Sequence, residues 1–141
     1  MKKRTKIIYW IATIVFAIGM YIGGGYWVIT FLNTTDASSG GVLREAEAIQ
    51  TIHSLGYPVY FMCIIGAWKI FGVTVILIPK YKLIKEWAYA GFFFVLSGAA
   101  LTHIIKDGSF SDVIKPLFFL ILTIISWYFR AADRKIITIS K

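Results

Sequence analysis

Long stretches of this chain carry no charge. Residues 7–35 hold no Asp, Glu, Lys, Arg or His, and residues 87–105 hold only His103. Apolar segments of this length satisfy their backbone hydrogen bonds internally as helices and lie in hydrocarbon. The pattern predicts four spans, over residues 7–31, 58–78, 86–105 and 113–129. Pro58 suits the first turn of the second span, where its missing N–H costs nothing, and Pro79 stops it. Ser111 or Asp112 is the candidate N-cap of the fourth. That span's unbroken apolar stretch, residues 116–129, is short. It crosses only with Lys115 in its first turn, its ammonium reaching to the interface. The expected architecture is an all-α, integral membrane bundle of four transmembrane helices, one domain over residues 1–141.

The segment between the first two spans reads differently. Residues 32–41 are rich in turn formers. Leu43, Ala46, Ile49 or Gln50, Ile52 and Leu55 then recur at helical spacing. A short amphipathic helix over 42–55 follows, resting at the interface with Arg44, Glu45 and Glu47 toward water.

Charge sets the expected orientation. Lys2, Lys3, Arg4 and Lys6 precede the first span, Lys80, Lys82 and Lys85 join the second to the third, and Arg130, Arg134, Lys135 and Lys141 follow the last. The opposite loops hold only Arg44, Lys106 and Lys115. An excess of Lys and Arg marks the cytoplasmic side, so both termini are expected there. The first apolar run is too long for the core of a signal peptide, and no small-residue cleavage site follows it, so it is read as an uncleaved helix. Trp10, Trp27, Tyr57, Trp87, Trp127 and Tyr128 near the span ends fit interfacial belts.

Composition closes off other classes. Only 16% of the 141 residues are charged, too few to cover a water-facing surface. The net charge of +8 would suit nucleic acid, but the basic residues flank apolar segments instead of covering one face, which removes that partner. The partner expected first is the lipid bilayer. Cys63 is the single cysteine, so no disulfide forms within the chain, and its apolar setting suits a small buried hydrophobe. There is no P-loop, no G-x-S-x-G, no dinucleotide fingerprint, no H-x-x-x-H and no haem motif. No metal site and no catalytic residue are therefore expected, and the cofactor stays open.

Lys69 is the candidate for function. It lies midway between Pro58 and Pro79, near the bilayer midplane. A bare ammonium there costs at least about 2.5–3.5 kcal/mol, so Lys69 should face the bundle interior and find partners, as a ligand or proton site or as a tie between helices. At 100° per residue, Glu86, Tyr89, Ser97 and His103 share an arc of about 120° on the third span. Side chains lean toward their helix N-terminus, so Lys69 should reach toward Ser97 and His103 more easily than toward Glu86. Gly19 and Gly23 form a G-x-x-x-G able to admit a neighbouring helix or another copy of the chain, or merely to loosen the helix end.

Several runs together resemble the DoxX-like family of small bacterial membrane proteins. They are Leu55-Gly56-Tyr57-Pro58, Gly66-Ala67-Trp68-Lys69-Ile70-Phe71-Gly72, Pro79, Lys85-Glu86-Trp87-Ala88-Tyr89-Ala90-Gly91, and Ser97-Gly98-Ala99-Ala100 with His103. The resemblance covers about residues 10–130 and implies a four-helix bundle in the bacterial inner membrane. Namesakes of the family are linked to thiosulfate–quinone oxidation and to a membrane redox complex. The resemblance therefore implies handling of a quinone, a lipid or a redox partner protein. The motif positions it carries over are Tyr57, Pro58, Lys69, Gly72, Glu86, Trp87, Tyr89, Gly91 and His103. The candidate ligand set is Lys69, Glu86, Tyr89, Ser97, His103 and Tyr57, and the candidate helix-packing glycines are Gly19, Gly23, Gly66, Gly72, Gly91 and Gly98. The leading expectation is a non-catalytic subunit that binds a quinone or lipid in the bundle. The alternatives are a component of a quinone-linked oxidoreductase and a structural partner.

Overall fold

The computed structural model describes residues 3–35, 47–106 and 110–131. These form five helices and no strand: α1 (Lys3–Thr35), α2 (Glu47–Ser54), α3 (Tyr60–Leu77), α4 (Lys82–Lys106) and α5 (Phe110–Phe129). Helices α1, α3, α4 and α5 are each long and apolar enough to cross a membrane. Their order around the bundle is α1, α3, α4, α5, and α5 closes the ring onto α1. Of the four neighbouring pairs, α3 and α4 meet least.

The outer surface is that of a protein solvated by lipid. Ile11, Ile18, Ile22, Trp68, Phe71, Trp87, Phe94, Ile105 and Ile121 are all exposed. An apolar surface this extensive is unstable in water and stable in hydrocarbon. The protein is a multi-pass membrane protein.

Helix α1 starts and ends beyond the expected span. Lys3, Arg4 and Lys6 are good helix formers and nothing before Ile7 breaks the turn, so the helix reaches into them. It also takes in residues 32–35, which were expected in the loop. At 1.5 Å per residue it is about 50 Å long, so it tilts or projects from a hydrocarbon layer of about 30 Å. Residues 36–46, with Arg44 and Glu45, lie outside the described residues, as do Arg134, Lys135 and Lys141. Helix α2 buries Ile49 and Ile52 against Met62 of α3, with Trp27 and Phe31 of α1 alongside.

The turns have identifiable causes. Gly56 takes φ +81 after α2. Its N–H donates to the carbonyl of His53, and the N–H of Tyr57 donates to that of Ile52, both at 3.0 Å. This paired pattern ends a helix around a left-handed residue, which glycine adopts without a Cβ penalty. At the far end of α3, Ile78 is extended at ψ 133. The ring of Pro79 forbids it the helical conformation. Helix α5 begins at Phe110, so Ser111 and Asp112 both sit inside the first turn and neither is the N-cap; Asp112 complements the helix dipole there. Pro116 lies within α5, where it removes one intrahelical hydrogen bond.

Packing at the centre is dense in one half only. Phe16, Met20, Val73, Ile76, Tyr89, Phe92 and Leu96 form one buried cluster. Phe16 and Phe92 meet edge to face at 4.8 Å, closing the axis between α1 and α4. Toward the end of the bundle that carries α2, the axis stays open.

Candidate functional site

The open half is a cavity of about 450 Å³ bounded by residues of all five helices. Trp27 of α1, Lys69 of α3, Thr102 and His103 of α4, and Lys115 and Pro116 of α5 line it, with Tyr57 from the α2–α3 turn. The Tyr57 hydroxyl lies 3.4 Å from that of Thr102. The remaining walls are mostly apolar, from Met20, Ile52, Phe61, Leu96 and Phe119 among others. This combination of apolar walls and a few convergent polar groups is the usual form of a small-molecule site.

Lys69 sets the electrostatics of the cavity. Its Nζ stands 4.0 Å from the centroid of the Trp27 ring. The ring face attracts the ammonium, by about 2 kcal/mol when water is excluded. Lys69 makes no ion pair among the described residues. Among the described residues no Asp or Glu lines the cavity, and Lys115 is already paired with Asp112 at 3.3 Å.

A second space lies on the outside of the same wall. Between α3 and α4 runs a groove of about 360 Å³, lined by Trp68, Phe71, Gly72, Trp87, Gly91 and Phe92 among others. Ile65, Lys69 and Val95 line both the groove and the cavity.

The other candidate residues fall into a separate network at the opposite end. Glu86 accepts hydrogen bonds from Trp127 Nε1 at 3.0 Å and from the Arg130 guanidinium. Arg130 is buried, and its Nε and other terminal nitrogen have no hydrogen-bond partner among the described residues. It also sits 5.3 Å from the Tyr89 ring and 5.4 Å from that of Trp127. Tyr89 reaches the Ser126 hydroxyl at 2.8 Å, and Ser126 reaches Thr13 at 2.7 Å. Thr13 in turn donates to the carbonyl of Tyr9, one turn back along α1. The network ties α1, α4 and α5. Beside it Lys85, almost wholly buried, donates to the carbonyls of Val75 and Ile76 at 2.7 and 2.6 Å. Those two belong to the last turn of α3, whose carbonyls lack helical partners.

The six candidate ligand residues therefore divide. Lys69, His103 and Tyr57 line one cavity. Glu86 and Tyr89 face α5 instead, and Ser97 donates to the carbonyl of Phe94 in its own helix at 3.2 Å. The polar arc of α4 is real for an isolated helix, but successive parts of it meet different neighbours. Trp27 was seen only as an interfacial aromatic, and Arg130 only as a topological charge. Isolated hydroxyls at Thr13 and Ser126 were the one sequence signal of the tie.

The glycines divide as well. A Cβ on Gly24 would lie 2.8 Å from the Gly66 carbonyl oxygen, and one on Gly66 equally close to that of Gly24. This pair is where α1 and α3 touch backbone to backbone. Gly19 makes room for Phe119 and Gly72 for Phe92. Added Cβ atoms at Gly23, Gly91 and Gly98 meet nothing within 4 Å, so these three do not mediate helix contact. They line the cavity or the groove instead.

Among the described residues, no three His, Cys, Asp or Glu side chains come together to hold a metal. Neither the curated proteins nor the solved structures contain a match to this chain. The family model described as the DoxX-like family matches residues 11–126. That stretch holds α2, α3 and α4 entire and most of α1 and α5, so the cavity and its lysine lie within the matched region, and the chain belongs to the DoxX-like family.

Proposed function

We propose that this protein is a non-catalytic subunit of the bacterial inner membrane that holds one small lipophile, a quinone or a lipid, in the cavity beside Lys69. The observation that carries the reading is a lysine with no counter-ion among the described residues, at the wall of an apolar cavity. Burial of an ammonium is costly, and a ligand oxygen lowers that cost. The basic residues Lys3, Arg4, Lys6, Lys80 and Lys82 gather at the end away from the cavity. That distribution supports cytoplasmic termini and a cavity in the outer half of the bilayer.

The test is mass spectrometry of lipophiles that copurify with wild type and with Lys69→Met. A molecule lost selectively from the folded variant supports the reading, and identical extracts contradict it. A second reading, a component of a quinone-linked oxidoreductase, draws on Lys69 and His103 lining one cavity. Both groups can carry a proton toward a quinone oxygen. It requires quinone turnover with partner enzymes supplied, reduced by substitution of either residue.

A further inference from the structure

From the junction of cavity and groove we infer that the ligand is a single-chain carboxylate amphiphile, a long-chain fatty acid. It lies with its chain in the α3–α4 groove and its carboxylate at the Lys69 ammonium. The inference rests on the cavity reading and names its ligand class and its route. The groove faces lipid, and Lys69 is the one charged residue among those lining it. Such a surface takes a hydrocarbon chain and offers nothing to a polar protein segment. Its volume of about 360 Å³ lies at the lower end for ligand sites and suits one chain.

Charge selects the head. Among the described residues no carboxylate lines either space, and Lys69 has no anionic partner there. A lone ammonium is a compact point charge, matched by one carboxylate. Phosphate recognition favours the forked donors of arginine, and among the described residues no arginine lines the cavity or the groove.

Place selects the route. Lys69 bounds both spaces, so one molecule reaches the ammonium with its head in the cavity while its chain runs along the groove. The groove lies on the seam where neighbouring spans meet least. Gly91 keeps it open, since a Cβ there meets no other helix within 4 Å and a longer side chain would extend into the groove.

Brominated acyl chains quench nearby tryptophans, and Trp68 and Trp87 line the groove. The protein in phosphatidylcholine nanodiscs is titrated with 9,10-dibromostearate and with the matching dibromo alcohol. The expected result is saturable quenching by the carboxylate at a concentration at least tenfold below the alcohol. Lys69→Met should abolish that difference, Lys69→Arg should retain it, and Gly91→Leu should weaken both probes. Equal saturable binding of the two probes to wild type overturns the charge assignment while leaving a lipophile site standing. Undiminished binding to Gly91→Leu overturns the groove. Absence of saturable quenching by either probe removes this inference and leaves the cavity reading to the comparison of copurifying lipophiles. The wild-type comparison decides the head group even where Lys69→Met fails to fold.

Discussion

Substituting Gly24 by alanine separates two effects of glycine within one helix. The new Cβ would stand 2.8 Å from the Gly66 carbonyl oxygen, 3.1 Å from Lys69 Cβ and 3.2 Å from Ile70 Cγ1. Ordinary contact begins at 3.4 Å, and the nearest atom is backbone, so α1 and α3 must part by about 0.6 Å (3.4 less 2.8). Overpacking of this kind costs about 1–3 kcal/mol. Alanine recovers up to about 1 kcal/mol of helix propensity, so Gly24→Ala should lose up to about 2 kcal/mol net and lie about 1–3 kcal/mol below Gly23→Ala. Gly23 and Gly25 on either side meet nothing within 4 Å, so alanine there should be neutral or stabilising by up to about 1 kcal/mol. Gly66→Ala should resemble Gly24→Ala, and the double variant should cost less than the two losses added, because both act by moving the same helices apart. Equilibrium unfolding in mixed micelles measures all of these. Gly24→Ala as stable as Gly23→Ala would refute the backbone contact.

Three further outcomes follow from the network and the turns. Lys85→Met leaves two carbonyls of α3 without their charged donor and should cost about 3 kcal/mol, seen as faster amide exchange at the end of α3. Equal exchange there would argue against the cap. Glu86→Leu strands the buried Arg130 guanidinium and should cost about 3 kcal/mol, the lower end for a buried pair because Glu86 is partly exposed. Adding Arg130→Leu should restore much of that loss in a thermal melt, and a further loss would contradict the pairing. Gly56→Ala forces a Cβ into a left-handed turn and should cost about 1–2 kcal/mol by the same melt.

Much of the fold was legible because lipid imposes a simple rule on backbone and side chains alike. Charge-free runs and the two prolines located α3 nearly to its ends and α4 at its C-terminal end, while α4 starts a turn before the expected residue 86, at Lys82, because Lys82 to Lys85 favour helix. The reach of α1 was not legible, since Lys3 to Lys6 read as flanking charge while also favouring helix. The site was legible in part. Lys69 and His103 do share a cavity, as the lean of helical side chains suggested. The contacts of Glu86 with Arg130, and of Ser126 with Thr13, link residues far apart in sequence, and periodicity within one helix carries no information about them. Small residues were ambiguous for a physical reason. A missing side chain permits a helix to approach, as at Gly66, or leaves a space unfilled, as at Gly98.

Gly98 supplies the most direct test of the central claim, that the cavity holds a lipophile. It lines the cavity, and a Cβ added there meets nothing within 4 Å beyond its own helix backbone, so Gly98→Leu should extend into the cavity without displacing a helix. Native mass spectrometry of the intact protein released from mild detergent should show one lipophilic adduct per wild-type chain. The same adduct should be lost from Gly98→Leu while its thermal stability is kept. A bare wild-type chain, or an adduct held equally by the filled variant, would contradict the account.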